Sequence, residues 1–105
     1  MDIIIELEKV DRESNCRRKY QMVWSGIHHQ LLVRWGRIGE AYRQKRVYEY
    51  GDELELRKES RVLLNRRLAH GYEVSRCYGQ MDELQVMLGN RVWSGGEQVG
   101  LFTVV

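Results

Sequence analysis

The chain contains no proline and only two cysteines in 105 residues. Without proline, and without any low-complexity stretch or internal repeat, nothing marks a linker, so one domain over residues 1–105 is expected. Two cysteines do not make a disulfide framework, and reduced thiols in the cytoplasm are the simplest reading. No apolar run approaches the ~18 residues a membrane helix needs. The N-terminus, Met1-Asp2-Ile3-Ile4-Ile5-Glu6, lacks the basic start and long apolar stretch of a signal peptide. Catalytic signatures are missing too. No nucleophile sits in a recognisable elbow, and there is no Cys-x-x-Cys or His-Glu-x-x-His spacing. Cys16, Cys77, His28, His29 and His70 are scattered without ligand spacing, so no metal site and no cofactor are expected. No glycine-rich loop leads into a helix start, which removes the usual nucleotide cradle. The expectation is a protein without enzymatic activity.

What is present is charge, unevenly placed. The formal net charge is only +2. Residues 14–50, however, carry eight basic and two acidic side chains, while the flanking segments are net acidic. Local positive charge of this kind attracts a phosphate backbone. The same segment holds Leu31-Leu32-Val33-Arg34-Trp35-Gly36-Arg37-Ile38-Gly39. A short apolar run enters a large ring flanked by Arg34 and Arg37, and two glycines let the backbone bend beyond it. These residue types fit a stacking platform with phosphate contacts. They also fit a core tryptophan with solvent-facing arginines beside it.

The element pattern is α+β. Residues 3–10, 19–24, 30–35 and 41–50 read as four antiparallel strands joined by short connections. Tyr42, Gln44, Arg46, Tyr48 and Tyr50 are expected on one face of the fourth strand. Ala41, Arg43, Lys45, Val47 and Glu49 are expected on the other. Asp52 then caps one long helix over residues 52–70, with Glu53 and Glu55 in the first turn, Arg66 and Arg67 in the last, and Gly71 as a left-handed cap. Leu56, Ser60, Leu63, Leu64 and Leu68 share a helix face. That face should cover one side of the sheet at Ile3, Ile5, Leu7, Tyr20, Met22 and Trp24. Residues 76–105 form a C-terminal extension. Within it, Met81, Leu84, Met87 and Leu88 recur at roughly helical spacing over 80–88, and the apolar, β-prone Val99–Val105 is expected to pair along a sheet edge or across a dimer.

Trp35-Gly36-Arg37, set in Val-Arg-Trp-Gly-Arg-Ile-Gly, resembles the signature of the WGR domain. That domain occurs in DNA-damage-responsive poly(ADP-ribose) polymerases and in small bacterial proteins. Asn15, Arg18 and Tyr20 resemble the bacterial form Asn-x-x-Arg-Phe-Tyr, with Lys19 in place of the usual Phe. Gly71-Tyr72 matches the family's helix end. The likeness covers about residues 1–75. Glu40-Ala41-Tyr42-Arg43 stands where the family usually has Gly-Gln, and residues 76–105 have no counterpart. The resemblance implies a nucleic-acid-binding module without ADP-ribosylating activity. On it, Trp35 packs on a terminal sugar, Gly36 and Arg37 belong to the same contact, and Arg37 holds a phosphate or braces the loop. It also implies roles for Asn15 and Arg18 at the start of the second strand. Arg34, Lys45 and Arg46 join the candidate set on charge and position. DNA or another nucleic acid is thus the expected partner. The alternative is a protein-interaction or adaptor module, self-associating through its C-terminal segment.

Overall fold

The computed structural model describes residues 2–25 and 27–79. The expected elements over 80–88 and 99–105 lie outside the described residues. Five strands form one antiparallel sheet: β1 (Asp2–Asp11), β2 (Cys16–Ser25), β3 (Gln30–Arg37), β4 (Gln44–Glu49) and β5 (Glu73–Tyr78). Their spatial order is β4-β3-β2-β1-β5. The single described helix, α1 (Glu53–Ala69), joins β4 to β5.

Alternation puts one apolar set on the helix side. Ile3, Ile5 and Leu7 of β1 stand beside Tyr20, Met22 and Trp24 of β2, and Leu31 and Val33 of β3 extend the same layer. All eight are buried, as are Leu56, Ser60 and Leu64 of the helix; Leu63 and Leu68 pack against them. Burying an aliphatic side chain of this size is worth about 1.5–3 kcal/mol, so this layer is the main support of the fold. The expected helix face and its six sheet partners are all present, with β3 as an addition.

The helix is capped at both ends by its own sequence. The Asp52 carboxylate accepts the Glu55 N–H at 2.8 Å. At the other end Gly71 has φ +93°, its N–H donates to the Leu68 carbonyl at 3.1 Å, and the Tyr72 N–H donates to Arg67 at 3.2 Å. A left-handed residue is needed there, and glycine alone takes it without steric cost. Asp52→Ala is expected to lower stability by about 1 kcal/mol, readable as a shifted denaturation midpoint with unchanged slope.

Two elements differ from the sequence reading. The fourth strand begins at Gln44, not residue 41. The chain turns through Gly39 and folds Ala41–Arg43 back against Gly36, so these three residues leave the ladder. Tyr42 consequently lies on the sheet face opposite the helix, away from Gln44, Arg46 and Tyr48. The fifth strand, which takes in residues assigned to the extension, has no clean alternation to announce it. Its pairing with β1 passes from Leu7↔Val74 and Glu6↔Arg76 to Ile5↔Cys77, with a bulge that places an extra residue opposite Glu6. Val74 and Cys77, three residues apart, therefore both face the core, which breaks the period of two.

Candidate nucleic-acid interface

One end of the sheet brings together the β1–β2 loop, the end of β3 and the returning Ala41–Arg43 segment. The cross-strand row at this end is Leu7, Tyr20, Trp35, Gln44. The Trp35 ring stacks on Tyr20 with centroids 6.1 Å apart and planes 21° apart. Tyr20 meets Tyr72 edge-on, also at 6.1 Å, and the Arg67 guanidinium lies 4.7 Å over the Tyr20 ring. Burial pushes the Tyr20 phenol above its usual range, and Arg67 partly opposes this. Trp35 itself is half-buried and packs against the core from its edge. It is neither a sealed core residue nor a free surface ring.

The next row outward is Lys9, Arg18, Arg37, three cations side by side on β1, β2 and β3. Arg18 and Arg37 are directly opposite each other and both exposed. Like charges so placed destabilise a strand pair. Lys9 lies against the glycine cap of the helix, its Cε 3.5 Å from where a Gly71 Cβ would stand. There it also meets the negative end of the helix dipole.

Between these parts opens a groove of about 520 Å³. Ser14, Asn15 and Cys16 form one wall, Arg17 and Arg18 the floor of β2, and Trp35, Gly36, Arg37, Arg43 and Gln44 the other wall. Among the described residues its lining contains four arginines and no carboxylate. Glu40 stands outside the lining and reaches Arg43 at 3.0 Å and Arg37 at 3.9 Å, all three side chains being largely exposed. Such surface pairs contribute little and yield readily to a competing anion. The loop wall is built locally: the Asp11 carboxylate accepts the N–H groups of Glu13 at 3.1 Å and Ser14 at 3.4 Å. The Ser14 hydroxyl, foremost, and these N–H groups hold the Asp11 carboxyl below its usual range. Asn15 then takes φ +53°, a conformation asparagine tolerates better than most residues.

Of the candidate residues, Trp35, Gly36, Arg37, Asn15 and Arg18 meet in this groove. Arg34, Lys45 and Arg46 do not line it. Arg34 projects to the face opposite the helix, where its Nε donates to Gln21 Oε1 at 2.8 Å and Gln21 Nε2 donates to Glu6 at 2.9 Å. Its guanidinium also lies 4.8 Å over the Tyr42 ring, which Lys19 caps at 4.4 Å. Burial, aided by Glu6, pushes the Tyr42 phenol up to about 12. Lys45 shares that face, whereas Arg46 is on the helix side over Tyr48 at 5.0 Å. Arg17, Arg43, Ser14, Cys16 and Gln44 line the groove without having been singled out from sequence. Arg17 adjoins Arg18 and was readable; Arg43 enters only because residues 41–43 fold back.

Gly36 permits that return. A Cβ there would stand 3.1 Å from the Ala41 carbonyl oxygen and 3.5 Å from the Arg43 N, both backbone atoms. Gly36→Ala is expected to cost about 1–3 kcal/mol, because backbone must shift to make room. A denaturation midpoint close to wild type would contradict this.

No group of three or more potential metal ligands occurs among the described residues. None of their helices is long and apolar enough to cross a membrane. Cys77 is sealed in the core, and burial pushes its thiol up to about 12.

Comparison with known proteins agrees with the resemblance in the sequence. The family model for the WGR domain matches residues 4–77, which takes in all or most of each described strand, the described helix and the whole groove. No curated protein and no solved structure matches the chain. The WGR domain is a non-catalytic, nucleic-acid-binding type of module found in poly(ADP-ribose) polymerase-related proteins. With more than half of its length matched, the chain belongs to the WGR domain family.

Proposed function

We propose that the groove binds a nucleic-acid end, with Trp35 against the terminal sugar or base and Arg17, Arg18, Arg37 and Arg43 around the phosphates. The observation that carries this reading is the convergence of one half-exposed aromatic ring with four arginines and no lining carboxylate. A phosphate in the groove also offsets the opposed Arg18–Arg37 pair. Contacts of this type position a backbone and carry no sequence information, so binding is largely sequence-independent. The protein acts by holding its ligand and performs no chemistry on it.

The test is affinity for blunt, recessed and 5′-phosphorylated duplexes at two salt concentrations. If each of the four arginines neutralises one phosphate, log affinity falls against log salt with a slope of roughly −3 to −4. The 5′-phosphorylated end binds most tightly. Absence of binding to any end at low salt overturns the reading. A footprint gives an independent check. Cys16 lines the groove and is half-exposed, whereas Cys77 is fully buried. A thiol reagent is expected to label Cys16 alone, and bound duplex to slow that labelling.

A further inference from the structure

Of the four arginines that line the groove, Arg17, Arg18 and Arg37 stand on strands, whereas Arg43 comes from the returning segment. A residue outside the ladder owes its place to other contacts. Here these come from the sheet face opposite the helix. Lys19 Nζ donates to the Glu40 carbonyl and lies 4.4 Å over the Tyr42 ring. The Arg34 guanidinium lies 4.8 Å over the same ring and is itself hydrogen-bonded to Gln21. The segment is thus gripped at residues 40 and 42, just before Arg43. The Glu40 side chain carries the contacts onward, reaching the Arg43 guanidinium at 3.0 Å. Lys19 is therefore linked to Arg43 by two routes, one through Glu40 and one through Tyr42.

We propose that Lys19 is a positioning residue: through Glu40 and Tyr42 it presents Arg43 to a phosphate in the groove. The proposal rests on the reading of the groove as a nucleic-acid site. Lys19 does not line the groove itself. It faces a separate hollow with Glu6, Glu8 and Tyr42, and Glu8 is its cross-strand partner on β1. Two carboxylates there repel a phosphate, so Lys19 is placed to hold the protein and not the ligand. The Arg43 side chain is 77% exposed, and holding such a long side chain ready lowers the ordering cost of binding. The arrangement also joins the two places where the chain departs from the family pattern. Lys19 stands for the usual Phe, and Glu40-Ala41-Tyr42-Arg43 for the usual Gly-Gln. These departures meet in space, and a phenylalanine at 19 would have no side-chain donor for the Glu40 carbonyl.

The test is a double-mutant cycle between Lys19→Met and Arg43→Gln in the full chain. It is read as affinity for a 5′-phosphorylated duplex end at several salt concentrations, at a temperature where each variant is folded. Arg43→Gln is expected to weaken binding at least about tenfold and to make the salt slope shallower by about 1. Lys19→Met is expected to reproduce most of that loss. Added to Arg43→Gln, it is expected to change affinity less than about twofold, because its effect passes through Arg43. Lys19→Arg keeps a cation for Tyr42 and a donor for Glu40, and is expected to bind within about threefold of wild type. Wild-type affinity in Lys19→Met, with Arg43→Gln weakened, overturns the proposal and leaves the groove reading standing. Effects that add in the double variant also overturn it, because Lys19 then acts by its own charge or through general structure. So does an Arg43→Gln protein of wild-type affinity, since there is then no phosphate contact to position. A wild-type chain that binds no end at low salt overturns the groove reading and the proposal with it.

Discussion

Trp35→Ala is expected to weaken binding to a 5′-phosphorylated DNA end by about 1–3 kcal/mol, the worth of one base- or sugar-stacking aromatic. It is also expected to destabilise the protein, and the geometry says by how much. A fully buried tryptophan replaced by alanine costs about 3–5 kcal/mol. Trp35 is half-buried and keeps one close aromatic partner, Tyr20 at 6.1 Å, so a loss of about 2 kcal/mol is expected. Trp35→Phe separates the two effects. Phenylalanine preserves the stack on Tyr20 and should recover most of the stability, but its smaller ring reaches less far into the groove. Affinity should then recover only in part. The measurements are chemical denaturation and end-binding on both variants, at a temperature where each is folded. A Trp35→Ala protein that is destabilised but binds with wild-type affinity would show that the ring only supports the wall of the groove.

This dual position explains why residue types alone left two readings of Trp35 open. A ring at the end of an alternating strand belongs to the core layer by parity, as Leu31 and Val33 do. Whether it is sealed depends on what covers that end of the sheet, and the cover there is a charged row and a groove. The strands β1 to β3 and the helix were legible because local signals agreed with the tertiary outcome: alternation, an aspartate cap, a glycine stop. β5 was hidden by its bulge, which puts Val74 and Cys77 on one side at a spacing no strand template expects. Residues 41–43 were misassigned for a related reason. Their β-compatible composition says nothing of the vacancy at Gly36 that draws the backbone inward. Charge counting found the basic segment but could not divide it between faces. Arg34 and Lys45 went to the face opposite the helix and Arg46 to the ring of Tyr48, whereas Arg17 and Arg43 entered the groove.

The double substitution Arg18→Gln with Arg37→Gln is expected to move binding and stability in opposite directions. The two side chains are cross-strand partners on β2 and β3, both exposed, and Lys9 extends the row on β1. In the free protein their mutual repulsion costs roughly 0.2–1 kcal/mol, the usual size of a directly opposed like-charged pair. Removing both charges relieves it, and among the described residues the only ion pair lost is the long Arg37–Glu40 contact at 3.9 Å between exposed side chains. The variant should therefore be as stable as the wild type or slightly more so, most visibly at low salt where the repulsion is least screened. In the complex each arginine offers a charge-assisted hydrogen bond to a phosphate, worth about 1.5–3 kcal/mol. Losing two predicts about 3–6 kcal/mol of binding, or some two to four orders of magnitude in affinity. The salt slope should become shallower by about 2, one for each lost phosphate contact. Glutamine keeps polarity and hydrogen-bonding capacity without the charge, so a general surface disturbance is not the cause of such a loss. A double variant that is destabilised, and whose remaining folded protein shows an unchanged salt slope, would mean that the arginines brace the loop ends and that the phosphates are held elsewhere.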